Sequence, residues 1–563
     1  MRTRLRPLAC AVAVLLVVVT LGASSQPMRA RHGMVVAREP IAAAVGVDVL
    51  RDGGAAVDAA VATAFALAVT FPFAGNIGGG GFALYRPASG SPIAYDFREV
   101  APAAASPDMF IVDGDYKREL HHNSHVAVGV PGTVAGLHLA WSEHGRLPWN
   151  RLVEPAITLA RDGFVVSHEL ATSLEDVLPL MRRYATSVAA FSKNGEPYRT
   201  GDVFTQPDLA RTLARIATQG PDGFYTGETA KLIEREMVAN DGLITRADLS
   251  AYRAKTREPT HGTYRGYDVF SMPPISSGGT ALVEMLNILE GYNLRATGHG
   301  AAATVHRMAE AMRRAYADRA RYLGDPEFNP TMPIERLISK PYATRLRTTI
   351  NDDQASISSP ESFDWPAEGN ETTHLSVVDA DRNAISLTYT LEQGYGSKIV
   401  VTGAGFLLNN EMGDFNAGPG LTDERGSIGT SPNLAEPGKR MLSSMTPTIV
   451  VKDGRLVMVT GSPGGRTIIN TVLHTIVNVI DFKMNIQEAI DAPRFHHQWL
   501  PDRLVYERYG FSPDTVALLE ARGHALETRR RQGSAQAIFY DIGADLLEGA
   551  SDRRRTGSTA LGY

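Results

Sequence analysis

The sequence predicts an α+β fold, built from antiparallel hairpins and many helices, and three observations carry that reading. Two stretches, Thr372–Leu391 and Pro447–Thr460, each read as a pair of strands around a short turn. A series of longer segments between Pro40 and Ile480 is apolar throughout or amphipathic at helical spacing. Turn-forming residues are abundant, with 53 Gly and 32 Pro in 563 residues. Such a length fits roughly three or four domains, or one large α/β unit.

Hydrophobic residues make up 44% of the chain and charged residues 21%, the balance of a soluble globular protein. The net charge of −5 and the absence of a basic stripe argue against a nucleic-acid partner.

At the N-terminus, Arg2, Arg4 and Arg6 precede an apolar run from Leu8 to Leu21, then Gly22, Ala23, Ser24 and Ser25. This is the order of a secretory signal, placed at residues 1–25, and it predicts a periplasmic or secreted protein. The run is short for a spanning helix, which needs about 20 residues; an uncleaved anchor is the alternative. The one cysteine, Cys10, lies inside this segment. The mature chain therefore has no thiol, and covalent chemistry falls to Ser, Thr, Lys or a carboxylate.

In chain order, Ile41–Arg51 and Ala55–Thr70 read as helices split by Asp52-Gly53-Gly54. The second is apolar almost all round and is expected to be buried. Gly75-Asn76-Ile77-Gly78-Gly79-Gly80-Gly81 lacks the Lys-Ser/Thr of a P-loop and leads into a strand, Phe82–Tyr85, so close backbone packing near a site is favoured. Arg98, in Asp96-Phe97-Arg98-Glu99, is placed either to grip a carboxylate bidentately or to form a surface ion pair. His121, His122 and His125 resemble a metal cluster only by number; no acid or Cys sits at ligand spacing, and no metal is expected.

Helices are expected from about Pro131 to His144, and over Arg151–Asp162, Gln206–Gln219, Glu228–Asn240 and Ala301–Leu323. Leu243–Leu249 reads as a strand turn and a capped helix. Ser277-Gly278-Gly279 opens another helix, as an anion site or only an N-cap. The polar run 351–369 reads as a linker.

The first hairpin pairs Thr372–Val378 with Ala384–Leu391 around a five-residue loop, Asp379–Asn383. With Val378 opposite Ala384, Thr372 falls opposite Thr390. One face then carries Leu375, Val377, Ile385 and Leu387; the other carries Thr372, His374, Ser376, Ser386, Thr388 and Thr390. A polar face of this kind suits a cleft, or else a solvated edge.

Asn409–Phe415 supplies two acids, Glu411 and Asp414, and 416–439 has no clear element. Leu442-Ser443-Ser444-Met445 leads into the second hairpin, turned at Lys452-Asp453-Gly454. Gly461-Ser462-Pro463-Gly464-Gly465 then precedes a helix, Thr467–Ile480, and such glycines can aim N–H groups at an oxyanion. His496 and His497, framed by Pro493 and Pro501, read as packing.

Together these stretches resemble the bacterial γ-glutamyltransferase family. The resemblance rests on Gly75–Phe82, Asp96–Glu99, Thr372-Thr373-His374, Leu442–Met445, Thr460–Gly465 and Ala492–Gln498, and spans about Met34 to Tyr563. It implies the four-layer αββα sandwich of N-terminal nucleophile hydrolases. It also implies self-cleavage between Glu371 and Thr372 into a large subunit, 26–371, and a small catalytic subunit, 372–563, that share one core as a heterodimer.

By the same resemblance Thr372 is the nucleophile, Thr390 orients it, and Gly464 and Gly465 form the oxyanion hole. Arg98, Ser443 and Ser444 would hold the α-carboxylate of a γ-glutamyl donor such as glutathione, and Glu411 and Asp414 its ammonium. Glu392 stands where the family usually has Asn, and would add a third acid. Water, amino acids or peptides are the implied acyl acceptors. No cofactor, nucleic-acid partner or stable membrane partner is implied. The alternatives are a glutaryl or cephalosporin-type acylase of the same family and a non-catalytic periplasmic amino-acid-binding relative.

Overall fold

The computed structural model describes residues 25–359, 372–421 and 429–563. Fourteen strands form its two main sheets. In chain order they are β1 (Met28–Ala30), β2 (Met34–Ala37), β3 (Gly80–Arg86), β4 (Ile93–Phe97), β5 (Lys255–Arg257), β6 (Thr260–Tyr264), β7 (Tyr267–Ser271), β8 (Thr373–Val378), β9 (Ala384–Thr390), β10 (Thr448–Lys452), β11 (Arg455–Gly461), β12 (Gln536–Asp541), β13 (Leu546–Ser551) and β14 (Thr559–Gly562). One antiparallel sheet runs β14-β2-β8-β9-β3-β4-β5; the other runs β1-β13-β12-β11-β10-β7-β6.

The sheets pack face to face, and helices cover both outer faces. On the first sheet lie α1 (Pro40–Arg51), α2 (Ala56–Thr70) and α3 (Thr133–His144), backed by α4 (Trp149–Asp162) and α5 (Pro207–Gln219). On the second lie α6 (Gly278–Leu289) and α8 (Thr467–Ile480), with α7 (Ala302–Tyr322) against α6. This is the expected four-layer αββα sandwich. Each sheet takes strands from both sides of Thr372, so neither sheet is complete without both parts of the chain.

Helix α2 shows why the layers form. All 15 of its residues are buried, between the first sheet and the outer helices. Asp58 is its one charged residue, and its carboxylate accepts from the N–H groups of Ala55 (2.8 Å), Arg146 (2.9 Å) and Leu147 (3.3 Å). A buried acid is tolerated because backbone donors satisfy it.

The hairpin register is as the alternation predicts: Val378 faces Ala384 and His374 faces Thr388. Leu375, Val377, Ile385 and Leu387 join the core that contains α1 and α2. The polar face divides: Thr372 and Thr390, at its open end, line a cleft as expected, while His374, Ser376, Ser386 and Thr388 are sealed between the two sheets, satisfied by groups of the opposite sheet and of the hairpin itself. Ser386 Oγ donates to the Thr460 carbonyl at 2.9 Å and accepts from Thr448 N at 3.1 Å. His374 bonds Thr388 Oγ1 at 2.8 Å and Ser376 Oγ at 3.0 Å, and burial lowers its pKa to about 3.

Other expectations change in detail. The three histidines lie on a short helix, Arg118–His122, and a 3₁₀ turn, His125–Ala127, and all are buried. Leu243 and Ile244 form no strand; the helix Arg246–Ala251 starts from a Thr245–Asp248 capping box instead. The described part of the expected linker is pinned: Ser356 Oγ donates to Glu310 at 2.5 Å and Ser358 N to Asp502 at 2.7 Å. Glu371 and the signal segment 1–24 lie outside the described residues.

Candidate active site

Thr372 sits one residue ahead of β8, at the end of the hairpin, and only 6% of its surface is exposed. It lines a small cleft with Thr390, Glu392, Glu411, Asp414, Ser443, Ser444 and Gly465. The structure thus gathers residues from four separate stretches that the sequence singled out. Arg98 lies beneath this lining rather than in it, and Gly464 lines an adjoining cavity that also contains Thr372.

Thr390 is placed by the strand and by the glycine run. The Asn76 side chain donates to the Thr390 carbonyl at 2.8 Å and accepts from Gly79 N at 3.0 Å and Thr133 Oγ1 at 2.7 Å. A Cβ on Gly79 would stand 2.0 Å from the Thr390 carbonyl oxygen, and one on Gly78 2.2 Å from that of Leu407. These glycines permit the close approach that the sequence suggested. The Thr390 hydroxyl accepts from Glu392 N at 3.0 Å; Glu392 takes a left-handed backbone, φ +78°, to make that turn.

Arg98 is neither at the surface nor free for a ligand alone. It is fully buried, with one guanidinium nitrogen on Glu411 and another on Asp414, and Glu99 at 3.6 Å. It also donates to the Met441 carbonyl at 3.2 Å, two residues before the serine pair. Three acids surround one cation. Burial pushes the Glu99 carboxyl up to about 7 and that of Glu411 well above its ordinary range, outweighing the attraction of Arg98. Burial pulls the Arg98 pKa down, but Glu411, Asp414 and Glu99 outweigh it and hold the charge. Both Glu99 oxygens and Glu392 Oε1 lack a hydrogen-bond partner among the described residues. His122 Nδ1 lies 3.8 Å from Glu392 Oε1.

The serines are held from behind. Ser277, expected as an anion site or N-cap, does neither with its side chain: its hydroxyl donates to the Ser443 carbonyl at 2.6 Å. Arg319 on α7 donates to Ser277 Oγ at 2.8 Å and Ser444 Oγ at 3.1 Å. Arg319 escaped the sequence reading, and Asn76 and Ser277 were named there without the roles they have here. Arg319 looks like any basic residue on an amphipathic helix, and its burial was the missing signal.

Gly464 and Gly465 take positive φ, +131° and +53°, between β11 and α8. Gly465 borders the cleft and Gly464 the adjoining cavity, so the turn straddles Thr372.

One group among the described residues has metal-like spacing, His306, Glu310 and His524. Its carboxylate is already engaged by Arg313 at 3.2 Å, Arg314 at 2.6 Å and Ser356, and its histidines bond each other at 2.8 Å. This is a structural network that ties residues 351–356 to α7.

The family model described as Gamma-glutamyltranspeptidase matches residues 42–562. The chain is 50% identical to the glutathione hydrolase proenzyme of Escherichia coli over 547 residues, 95% of this chain and 93% of the relative. Among solved structures, a cephalosporin acylase from Bacillus halodurans superposes with a TM-score of 0.86 at 29% identity, covering 97% of this chain and 98% of that one. A Helicobacter pylori gamma-glutamyltranspeptidase chain matches with a TM-score of 0.56 at 45% identity, covering 56% of this chain and 91% of its own.

Proposed function

The chain belongs to the γ-glutamyltranspeptidase family and is an enzyme that transfers γ-glutamyl groups, and from that premise we propose how its residues divide the work. Thr372 is the nucleophile. The chain matures by cleavage of the bond between Glu371 and Thr372, giving subunits 26–371 and 372–563. Cleavage creates the α-amine of Thr372, with a reference pKa of about 7.7–8.0. An amine in that range serves as general base near neutral pH.

The donor is a zwitterion at its glutamyl end. Its α-carboxylate goes to Arg98, Ser443 and Ser444, and its ammonium to Asp414 and Glu411, with Glu392 beside them. Arg98 itself bonds those same acids. A zwitterionic donor matches that arrangement charge for charge. Holding both charged groups sets the γ-carbonyl before Thr372.

Thr372 Oγ then attacks the γ-carbonyl carbon, and its proton passes to the Thr372 amine. The N–H groups of Gly464 and Gly465 take the negative charge on the carbonyl oxygen. The amide C–N bond breaks, the leaving amine takes the proton, and a γ-glutamyl ester of Thr372 remains. Water or an acceptor amine attacks the ester; the C–O bond breaks and the proton returns to Thr372 Oγ. Glutathione and related γ-glutamyl compounds are the proposed donors, and amino acids or peptides the proposed acceptors.

The observation that carries this reading is the meeting of Thr372, Thr390, the acids and the serine pair around one small cleft. The likeness to a cephalosporin acylase raises a second reading, in which the donor is a glutaryl amide. Such a donor has no ammonium and would leave Asp414 and Glu411 facing an apolar methylene. Comparing turnover of a γ-glutamyl anilide with a glutaryl anilide tests the choice: preference for the glutaryl donor would overturn the γ-glutamyl assignment. We propose a periplasmic or secreted location from the N-terminal signal pattern. Among the described residues no helix is long and apolar enough to cross a membrane.

A further inference from the structure

Beside Glu392 lies a buried histidine that the mechanism above does not use. His122 ends the short helix Arg118–His122, and its Nδ1 faces Glu392 Oε1 at 3.8 Å. Neither Glu392 Oε1 nor His122 Nε2 has a hydrogen-bond partner among the described residues. We propose that His122 is a positioning residue: it holds the Glu392 carboxylate toward the cleft, and the pair strengthens the preference for donors that carry an α-ammonium. The inference rests on the γ-glutamyl-transfer reading and names the residue that orients one of its ammonium ligands.

Three observations carry it. The first is which oxygen of Glu392 is free. Asn410 Nδ2 donates to Glu392 Oε2 and, at 3.0 Å, to the His122 carbonyl. One amide therefore ties Glu392 to the end of the histidine helix. With Oε2 taken, Oε1 is the oxygen left to meet an ammonium. A buried carboxylate oxygen without a donor is costly, and a bound ammonium removes that cost.

The second is packing. The turn Glu411–Asp414 carries the other two acids of the cleft, and its Gly413 rests on the imidazole. A Cβ on Gly413 would stand 2.4 Å from His122 Nδ1 and 3.5 Å from Glu392 Cδ. The ring is thus wedged between Glu392 and that turn. His121 holds the same turn from its Nε2, 2.8 Å from the Met412 carbonyl, while its Nδ1 meets Tyr116 Oη at 3.0 Å. Both nitrogens of His121 are occupied, so His122 is the ring of the two left to face a carboxylate.

The third is charge. Glu392 is a third acid beside Glu411 and Asp414, and its charge adds to the burial that raises the Glu411 pKa. Among the described residues His122 is the one basic side chain within 4.0 Å of the Glu392 carboxylate. Lys398 gives its Nζ to Gln393 Oε1 instead, at 3.1 Å. With a proton on Nδ1, the His122 ring points an N–H at Oε1, and a shift of under about 1 Å closes the pair into a hydrogen bond. That contact offsets the repulsion among the acids and fixes the carboxylate's direction.

The test uses the processed enzyme and two donors that differ only in the α-ammonium, γ-glutamyl-4-nitroanilide and glutaryl-4-nitroanilide. In His122→Leu the KM for the γ-glutamyl donor should rise about tenfold, with kcat changed less, as for the loss of one charge-assisted bond. The preference in kcat/KM for the γ-glutamyl over the glutaryl donor should fall by the same factor. Where glutaryl turnover is too slow to read, the inhibition constants of L-glutamate and glutarate give the same comparison. His122→Asn, whose amide nitrogen can stand where Nδ1 stands, should recover most of the preference. In a Glu392→Gln background, His122→Leu should move the preference by less than about twofold, because the two residues act as a pair.

An unchanged preference in His122→Leu, an equal loss for both donors, or the full loss in the Glu392→Gln background overturns the proposal. If His122→Leu does not mature, His122→Gln replaces it: its amide nitrogen falls nearer the place of Nε2, so it should show the loss that His122→Asn does not. Equal behaviour of the Asn and Gln variants, or failure of all three to mature, also overturns the proposal. If the wild type turns over neither donor, or prefers the glutaryl one, the γ-glutamyl reading fails and this inference falls with it. A wild-type preference for the γ-glutamyl donor that survives in His122→Leu removes the inference alone.

Discussion

The guanidinium of Arg319 donates to the hydroxyl of Ser444 at 3.1 Å. A buried helix residue thereby sets the direction of a hydroxyl that lines the cleft. Replacing it with Gln should raise the donor KM about 10- to 100-fold, the range for losing a charge-assisted bond. kcat should change less, because the bond positions the carboxylate rather than the reacting carbonyl. Partial recovery in Arg319→Lys would separate this from a packing defect. Equal losses in kcat and kcat/KM would place the effect on the transition state instead.

Thr372→Ala is expected to remain a single chain by intact mass, while the wild type gives two, the smaller beginning at Thr372. Processing of the Ala variant at the same bond would remove Thr372 as the self-processing nucleophile.

Thr390→Ala should mature slowly and lower kcat on the order of 10²-fold, because the hydroxyl that orients the nucleophile is lost. Thr390→Ser keeps the hydroxyl and should recover most of the rate. Failure of the Ser variant would mean that the methyl group, not the hydroxyl, is what matters.

Glu392→Gln tests the third acid. The ammonium of the donor binds best to ionised carboxylates, so donor KM should fall as pH rises through the titration of the cluster. Removing one negative charge lets Glu411 and Glu99 ionise at lower pH, and the transition in KM should move down the pH scale. An unchanged profile removes Glu392 from the ammonium site.

Glu99 gives a stability prediction with a definite sign. Its folded pKa, about 7, lies above the ordinary 4.5. Between those values the unfolded chain loses its proton first. The folded state binds more protons there, so stability falls as pH rises across that window. Glu99→Gln should flatten the midpoint of thermal unfolding between pH 4.5 and 7. A slope as steep as the wild type's would assign the effect to another group.

Much of the fold was legible from local pattern. The β8–β9 register followed from alternation alone, and α8 from an apolar run after a glycine turn. The helix His168–Met181 was missed. The cleft end of the polar hairpin face was legible, and its sealed inner part was not, for a physical reason. Nothing local to Ser386 says that carbonyls of a second sheet, more than 70 residues away, will satisfy it. Arg98 was recognised as an acid-gripping residue, but its partners Glu411 and Asp414 are more than 300 residues distant. Residue type announced the chemistry, and only the tertiary structure announced the pairing.

Both sheets interleave strands from the two sides of the proposed cut, with β8 paired to β2 and β10 to β7. Folding of the uncut chain is unimolecular, with every strand tethered to its neighbours. Once cut, the same architecture must reassemble from two separate polypeptides, each lacking strands of both sheets. Regain of structure after denaturation should therefore depend on protein concentration for the matured form and not for a Thr372→Ala chain. On the proposed cut, the covalent link serves as an assembly jig, and the cut form is expected to be kept folded by slow unfolding rather than by easy refolding.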